Sequence, residues 1–222
     1  MGLWITLRKN NEHSFFQENL LRIISNQDEL DGNRLILASG YFSEDPRPKY
    51  SILDDHLLPA IRDNGNITKI DVIGTKGSLQ TFNRFCSKLE TESGKPVTKR
   101  KPSSSNWHAK IAMKLKSTTA GELPVCAIIG SSNLTRPAYG INPPPEGVNT
   151  GVNFNYECDV LIFLNDGFFN ILHEKGPAAV FPGIDNQEFG SIFYKKLPRG
   201  TTELEQLKGL WKEIEESTHI VK

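Results

Sequence analysis

Asn33-Arg-Leu-Ile-Leu-Ala-Ser-Gly-Tyr-Phe42 is apolar through its middle and passes at Ser39-Gly40 toward a polar segment with two prolines, Ser43-Glu-Asp-Pro-Arg-Pro-Lys49. A short apolar run closed by turn-forming residues reads as a buried strand entering a loop. Downstream, residues 51–63 (SILDDHLLPAIRD) space their apolar positions three and four apart. That spacing predicts a helix, with Pro59 as an irregularity and Asn64-Gly65-Asn66 as its stop. Lys69-Ile-Asp-Val-Ile-Gly74 predicts a second strand. Thr75-Lys-Gly-Ser78 leads into a second helix over 79–90, LQTFNRFCSKLE. Strand, helix, strand, helix in that order predicts an α/β layer with parallel strands.

The composition agrees with a folded layer. The chain has 222 residues, 26 Lys and Arg against 26 Asp and Glu, and 37% hydrophobic residues. Such a chain can bury one substantial core and is not a disordered polyion. Binding to a polyanion would therefore need a local patch. No apolar run reaches the length of a membrane span, and MGLWITLRKNNEHSFF lacks the apolar core of a secretory signal, so the expectation is a cytoplasmic protein without a membrane partner. Cys86, Cys126 and Cys158 form no CxxC pair and are expected to be buried, reduced thiols. One domain over 1–222 is expected, with its core at about 30–175 and a packing or dimerisation element over 177–222.

Further strands are expected over 105–116 (SNWHAKIAMKLK), 124–130 (PVCAIIG) and 155–163 (NYECDVLIF), and helices over 166–175 and 201–217. The last is amphipathic, with Leu204, Leu207, Leu210, Trp211 and Ile214 on one face. The segment 136–153, RPAYGINPPPEGVNTGVN, is too long and too rich in Pro and Gly for a plain connector.

The three central strands share a polar pattern. His108 and Lys110 are two apart, as are Ser131 and Asn133, and Asn155, Glu157 and Asp159. Side chains at i and i+2 share a strand face. Three neighbouring strands would thus gather a His, a Lys, a Ser, an Asn and carboxylates. Lys, Ser and Asn suit anionic oxygens, His can act as nucleophile or general acid, and a carboxylate can orient a His. The set suits attack on a phosphodiester. With one His and no dense carboxylates it does not suggest a metal site, and no cofactor is expected.

His108-Ala109-Lys110 followed by Gly130-Ser131-Ser132-Asn133 resembles the HxK…GSxN signature of the phospholipase D superfamily. Asn155-Tyr156-Glu157 resembles the acidic strand position that closes that family's site. GSSNLTRPAYG, opening at Gly130, is similar to the nuclease branch, which includes metal-independent restriction endonucleases. The family's longer motif has Asp five residues after the Lys, where this chain has Leu115, and that departure favours the restriction-type members over the lipid-cleaving ones. The decoy His173-Glu174-Lys175 falls in an expected helix and no GSxN follows it.

The resemblance implies a phospholipase D-like fold, a mixed central sheet flanked by helices, and a metal-independent phosphodiesterase cleaving nucleic acid, DNA ahead of RNA. It implies His108 as nucleophile, Lys110, Asn133 and Ser131 on the phosphate oxygens, and Glu157 as the residue that orients a His. The family uses two copies of the motif and this chain has one, so a homodimer with a shared site is expected. The basic run before the His strand adds Lys99, Arg100, Lys101 and Lys114 as expected nucleic-acid contacts. Three other outcomes stay open: a phospholipid-processing enzyme, a silent nucleic-acid-binding or assembly module, and a nuclease subunit that needs a partner protein. Plainer roles are open as well. Ser131 and Asn133 could cap a helix starting at Leu134, Glu157 could be an edge-strand charge, Asp159 could be structural, Trp107 could be core, and His13, His56, His173 and His219 could be surface or packing residues.

Overall fold

Alternate residues of the strand that follows Gly32 belong to two different cores. In the computed structural model this strand, β2 (Arg34–Ser39), sends Leu35 and Leu37 to one side and Ile36 and Ala38 to the other. A strand covered on both faces is apolar through its middle, which is why Leu35–Ala38 shows no alternation. The structure describes residues 2–8, 14–25, 31–42, 44–46, 49–74, 79–103, 110–139, 157–163, 190–196 and 202–221.

Within these residues the strands are β1 (Gly2–Arg8), β2, β3 (Glu44–Pro46), β4 (Lys49–Ser51), β5 (Lys69–Gly74), β6 (Val97–Pro102), β7 (Ile111–Thr118), β8 (Gly121–Gly130), β9 (Glu157–Phe163), β10 (Gly190–Lys196) and β11 (Thr218–Ile220). Nine of them form one sheet in the order β10-β1-β9-β8-β7-β2-β5-β6-β11, and β3 and β4 pair separately. β2, β5 and β6 run parallel, as the strand–helix–strand order predicts, and every other neighbouring pair is antiparallel. The protein is therefore a mixed α/β fold.

One face of the sheet carries α1 (Phe15–Ser25), α2 (Leu58–Asp63) and α3 (Leu79–Ser93). Their Leu20, Ile23, Ile61, Phe82 and Phe85 pack with Leu35, Leu37, Val72, Ala112 and Ile128. The other face carries α5 (Thr202–Ser217), whose Leu207, Trp211 and Ile214 cover Ile36, Ile73, Met113 and Ala127. The expected amphipathic helix thus packs on the sheet. A short α4 (Arg136–Tyr139) follows β8.

Pro59 is accommodated as an irregularity. A π-helical turn, Leu53–Leu57, precedes α2, and Pro59 lies in the first positions of α2, where a missing N–H costs least. α3 runs three residues past its expected end and stops at Gly94, whose φ of 69° suits glycine at a helix terminus.

Several expectations are corrected. The sheet is not confined to about 30–175: β1, β10 and β11 lie outside that span and add three strands. The basic stretch 97–102 forms a sheet strand, β6, which its sequence does not announce. Within 105–116 the described strand begins at Ile111. Residues 104–109, and with them Trp107 and His108, lie outside the described residues, as do Thr75–Ser78, 140–156 and the expected helix 166–175.

Two buried charges show how the layers are joined. Lys114 is fully buried, and its Nζ donates to the Ile23 carbonyl at 3.0 Å, in the last turn of α1. A cation there satisfies a carbonyl the helix leaves unpaired and complements its dipole. Burial pushes the lysine below its ordinary pKa. Asn64 Nδ2 donates to the neighbouring Ile24 carbonyl at 2.6 Å, completing the cap. On the α5 side, Asp71 of β5 accepts from Arg34 (2.7 and 3.1 Å) and from Arg100 of β6 (2.7 Å). Arg34 also reaches Glu122 on β8 at 2.6 Å and lies over the Trp211 ring at 4.7 Å. Burial alone would raise the Asp71 carboxyl, but the two guanidiniums outweigh it and hold Asp71 below the usual carboxylate range.

Candidate functional site

The sheet brings four of the expected site residues to a single rim. β2 and β5 end there, β7 and β9 begin there, and β8 ends there. Ala38 pairs with Ile111, Ile111 with Ile129, and Gly130 with Asp159. Lys110 immediately precedes β7, and its carbonyl accepts from Gly130 N at 3.2 Å. Lys110, Gly130-Ser-Ser-Asn133 and Glu157 are thus contiguous along the sheet edge. His108 lies outside the described residues, two positions before Lys110 in the chain.

Each residue of the Gly130–Asn133 turn has a definable task. A Cβ on Gly130 would stand 2.5 Å from the Cys158 carbonyl and 2.7 Å from Asp159 Cα, so only glycine lets the chain turn this close to β9. Ser131 Oγ donates to Glu157 Oε2 in a short hydrogen bond and accepts from Cys158 N at 3.0 Å. Ser131 N donates to the Cys158 carbonyl at 3.1 Å. Ser132 donates to Asp159 twice, from Oγ to Oδ2 at 2.6 Å and from N to Oδ1 at 3.2 Å. Asn133 Oδ1 accepts from the backbone N–H groups of Gly40 and Tyr41 at 3.0 and 3.3 Å. Leu134 N donates to Ser39 Oγ at 2.9 Å, and Leu134 forms a bridge with Phe42.

This geometry revises the plainer readings. Asn133 is not a helix cap; its carbonyl oxygen fixes the loop leaving β2, and among the described residues its amide N–H groups have no protein acceptor. Glu157 is not an edge-strand charge, because β9 lies between β1 and β8 and Glu157 is buried. Ser131 Oγ donates to Glu157 and so orients its carboxylate. Asp159 is structural in the sense that it holds the turn through Ser132. Ser132, Ser39 and Gly40 are not among the expected site residues; the trace they leave in the sequence is the Ser39-Gly40 step that closes β2 and the Gly130-Ser-Ser run that closes β8.

The expected contact set along the basic run divides. Lys114 is a correction: its ammonium is buried against the Ile23 carbonyl and does not face solvent. Arg100 is a second correction, because its guanidinium is held by Asp71 and, at 3.3 Å, by Thr218 Oγ1. Lys99 and Lys101 are half-buried on β6, Lys101 in register with His219 of β11. Of the thiols, Cys86 and Cys126 are buried as expected and pushed up to about 12 by that burial, whereas Cys158, expected to be buried, is exposed.

Glu157 and Asp159 face the same way from β9, and the pair has a consequence for pH. Burial, with the charge of Glu157 as a further cause, raises the Asp159 carboxyl from 3.8 to about 6, although the Ser132 hydrogen bonds work in the opposite direction. The folded chain then holds a proton between about pH 4 and 6 that the unfolded chain has released. Stability from this group is present below that window and is lost as pH rises through it. Asp159→Asn should therefore gain stability relative to wild type between pH 4 and 7, by up to about 3 kcal/mol, in urea titrations. Parallel profiles for the two proteins would contradict this.

Among the described residues, no group of three or more His, Cys, Asp and Glu is placed to hold a metal ion, and no helix is long and apolar enough to cross a membrane. No model of a known protein family matches the chain, and no curated protein is significantly similar to it.

Proposed function

We propose that the rim is the phosphate site of a phospholipase D-like, metal-independent phosphodiesterase that cleaves nucleic acid, DNA ahead of RNA. The observation that carries this reading is the juxtaposition of Lys110 with the Gly130–Asn133 turn and Glu157 at one sheet edge. These residues come from three strands and are far apart in sequence. A fold that needed only a turn at Gly130 would not require a cation, an amide whose donors meet no acceptor among the described residues, and an oriented carboxylate beside it.

In this mechanism His108 attacks phosphorus, and the bond from phosphorus to the leaving oxygen breaks. A second imidazole donates a proton to that oxygen. Water then attacks the phosphohistidine, giving up its proton to the same second imidazole and releasing His108. Lys110 and the Asn133 amide would stabilise the non-bridging oxygens as charge gathers on them, and Glu157, held by Ser131, would orient an imidazole. Because the chain carries one HxK followed by GSxN, the second imidazole is assigned to His108 of a second copy, and the active species to a homodimer. The chemistry uses His, Lys and Asn and needs no metal or organic cofactor.

The test is cleavage of labelled single- and double-stranded DNA and RNA in excess EDTA, with the mass of the active species measured by sedimentation. The expected result is EDTA-resistant cleavage of DNA by a species of about twice 24.9 kDa. Strict dependence on an added divalent ion, or full activity in a monomer, would overturn the mechanism. Cleavage of phospholipid vesicles but not nucleic acid would favour the lipid-processing alternative. Binding without turnover would favour a silent module or a subunit that needs a partner protein.

A further inference from the structure

We propose that Tyr41 is a stacking platform for a base of single-stranded nucleic acid whose phosphate lies at Lys110 and Asn133. The proposal rests on the phosphodiester reading of the rim and names the strand state of its substrate. Tyr41 belongs to the loop leaving β2. Ala38 pairs with Ile111, so Ser39 lies one residue further on, opposite Lys110. Asn133 joins the two features directly. Its Oδ1 accepts from Tyr41 N, which leaves its amide donors for the phosphate of the nucleotide whose base would meet the ring.

The backbone of Tyr41 is fixed on both sides. Its carbonyl accepts from Ser39 Oγ at 2.5 Å, and Ser39 and Gly40 are buried. Phe42 bridges Leu134 and packs on Phe82 and Phe85, with ring centroids 5.6 and 4.7 Å away. Between these anchors Tyr41 itself is 47% exposed. Three large apolar side chains are exposed among the described residues, and Tyr41 is the aromatic one. A ring carried on rigid backbone loses little freedom on contact, which suits recognition by stacking. Bases inside a duplex already have both faces covered. A side-chain platform therefore selects bases that are unstacked, and every base offers a π face, so the contact would tolerate sequence.

The test uses the full-length protein with Tyr41→Ala and Tyr41→Phe. The substrates are a single-stranded DNA oligonucleotide, the same sequence as a duplex, and an abasic oligonucleotide with the same phosphodiester backbone. Tyr41→Ala is expected to raise KM for the single strand about tenfold or more, the usual size of one lost base–aromatic stack, with kcat within about twofold. Tyr41→Phe should restore the wild-type KM, since the ring and not the hydroxyl stacks. Neither variant should shift KM for the abasic substrate, and wild type should prefer the single strand to the duplex. An unchanged KM in Tyr41→Ala, an equal loss on the abasic strand, or a Tyr41→Phe as impaired as the alanine variant would overturn the platform while leaving the phosphodiester reading intact. Absence of cleavage by wild type on all three substrates would overturn that reading itself.

Discussion

Replacing His108 by alanine is expected to abolish cleavage, because in a shared site one substitution removes the attacking imidazole and the proton donor together. Lys110→Ala and Asn133→Ala should each lower kcat by ~10²–10³, the usual loss when one preorganised donor to a developing anion is removed. Asn133 carries a second task. Its Oδ1 holds Gly40 and Tyr41, so Asn133→Asp should keep the loop in place while replacing the amide donors with a charge that repels phosphate. The aspartate variant should therefore be at least as inactive as the alanine variant while unfolding in urea closer to wild type. Initial rates in excess EDTA, with folding followed by circular dichroism, check the series. Wild-type rates in a folded His108→Ala protein would end the account of the rim as a histidine-dependent site.

Asp71→Ala should cost about 3–5 kcal/mol of stability, the range for breaking a buried ion pair by removing one partner. Asp71 is fully buried and holds two guanidiniums, Arg34 at 2.7 Å and Arg100 at 2.7 Å. Without it Arg100 keeps, among the described residues, the Thr218 hydroxyl, and Arg34 keeps Glu122 and, at 3.9 Å, Glu215. The loss would be a large share of the 5–15 kcal/mol that typically separates folded from unfolded chains. Urea denaturation gives the number, and a loss below about 1 kcal/mol would show that the two arginines find solvent or other partners. Asp71 lies on the α5 side of the sheet, so at temperatures where the variant stays folded the rim should retain its activity.

The parts of the fold that were legible in the sequence are those where one physical pattern dominates. β2 reads as a strand because both faces are covered and its Leu-Ile-Leu-Ala centre is apolar, and β5 because Ile70, Val72 and Ile73 make a short apolar group closed by Gly74. α5 reads as a helix because its Leu207, Trp211 and Ile214 all meet the sheet. β6 was hidden because its sequence, VTKRKP, has no apolar alternation; Arg100 enters the sheet by pairing with Asp71, twenty-nine residues away in the chain. Lys114 was misread for a related reason. Its partner is the backbone carbonyl of Ile23, and a carbonyl leaves no mark in a sequence.

The candidate site is only partly legible from strand geometry. Glu157 and Asp159 do lie two apart on β9, but β8 ends at Gly130, so Ser131 and Asn133 sit in the turn beyond the strand and not two apart on its face; Glu157 meets Ser131 through that turn. The tie between Asn133 and the Gly40–Tyr41 backbone was not legible, since one partner is main chain and Tyr41 lies ninety-two residues from Asn133 in the sequence. The same holds for the carboxylate of Asp159, whose partners are the hydroxyl and the amide of Ser132.

The central claim is covalent chemistry at His108. The measurement that tests it most directly is mass spectrometry of wild-type protein quenched in alkali during turnover of a DNA substrate. The account predicts a phosphoryl-nucleotide adduct on the peptide that contains His108, formed and lost at rates consistent with turnover, and absent from Lys110→Ala at matched times. Turnover without any protein adduct, or an adduct mapped to another residue, would contradict it.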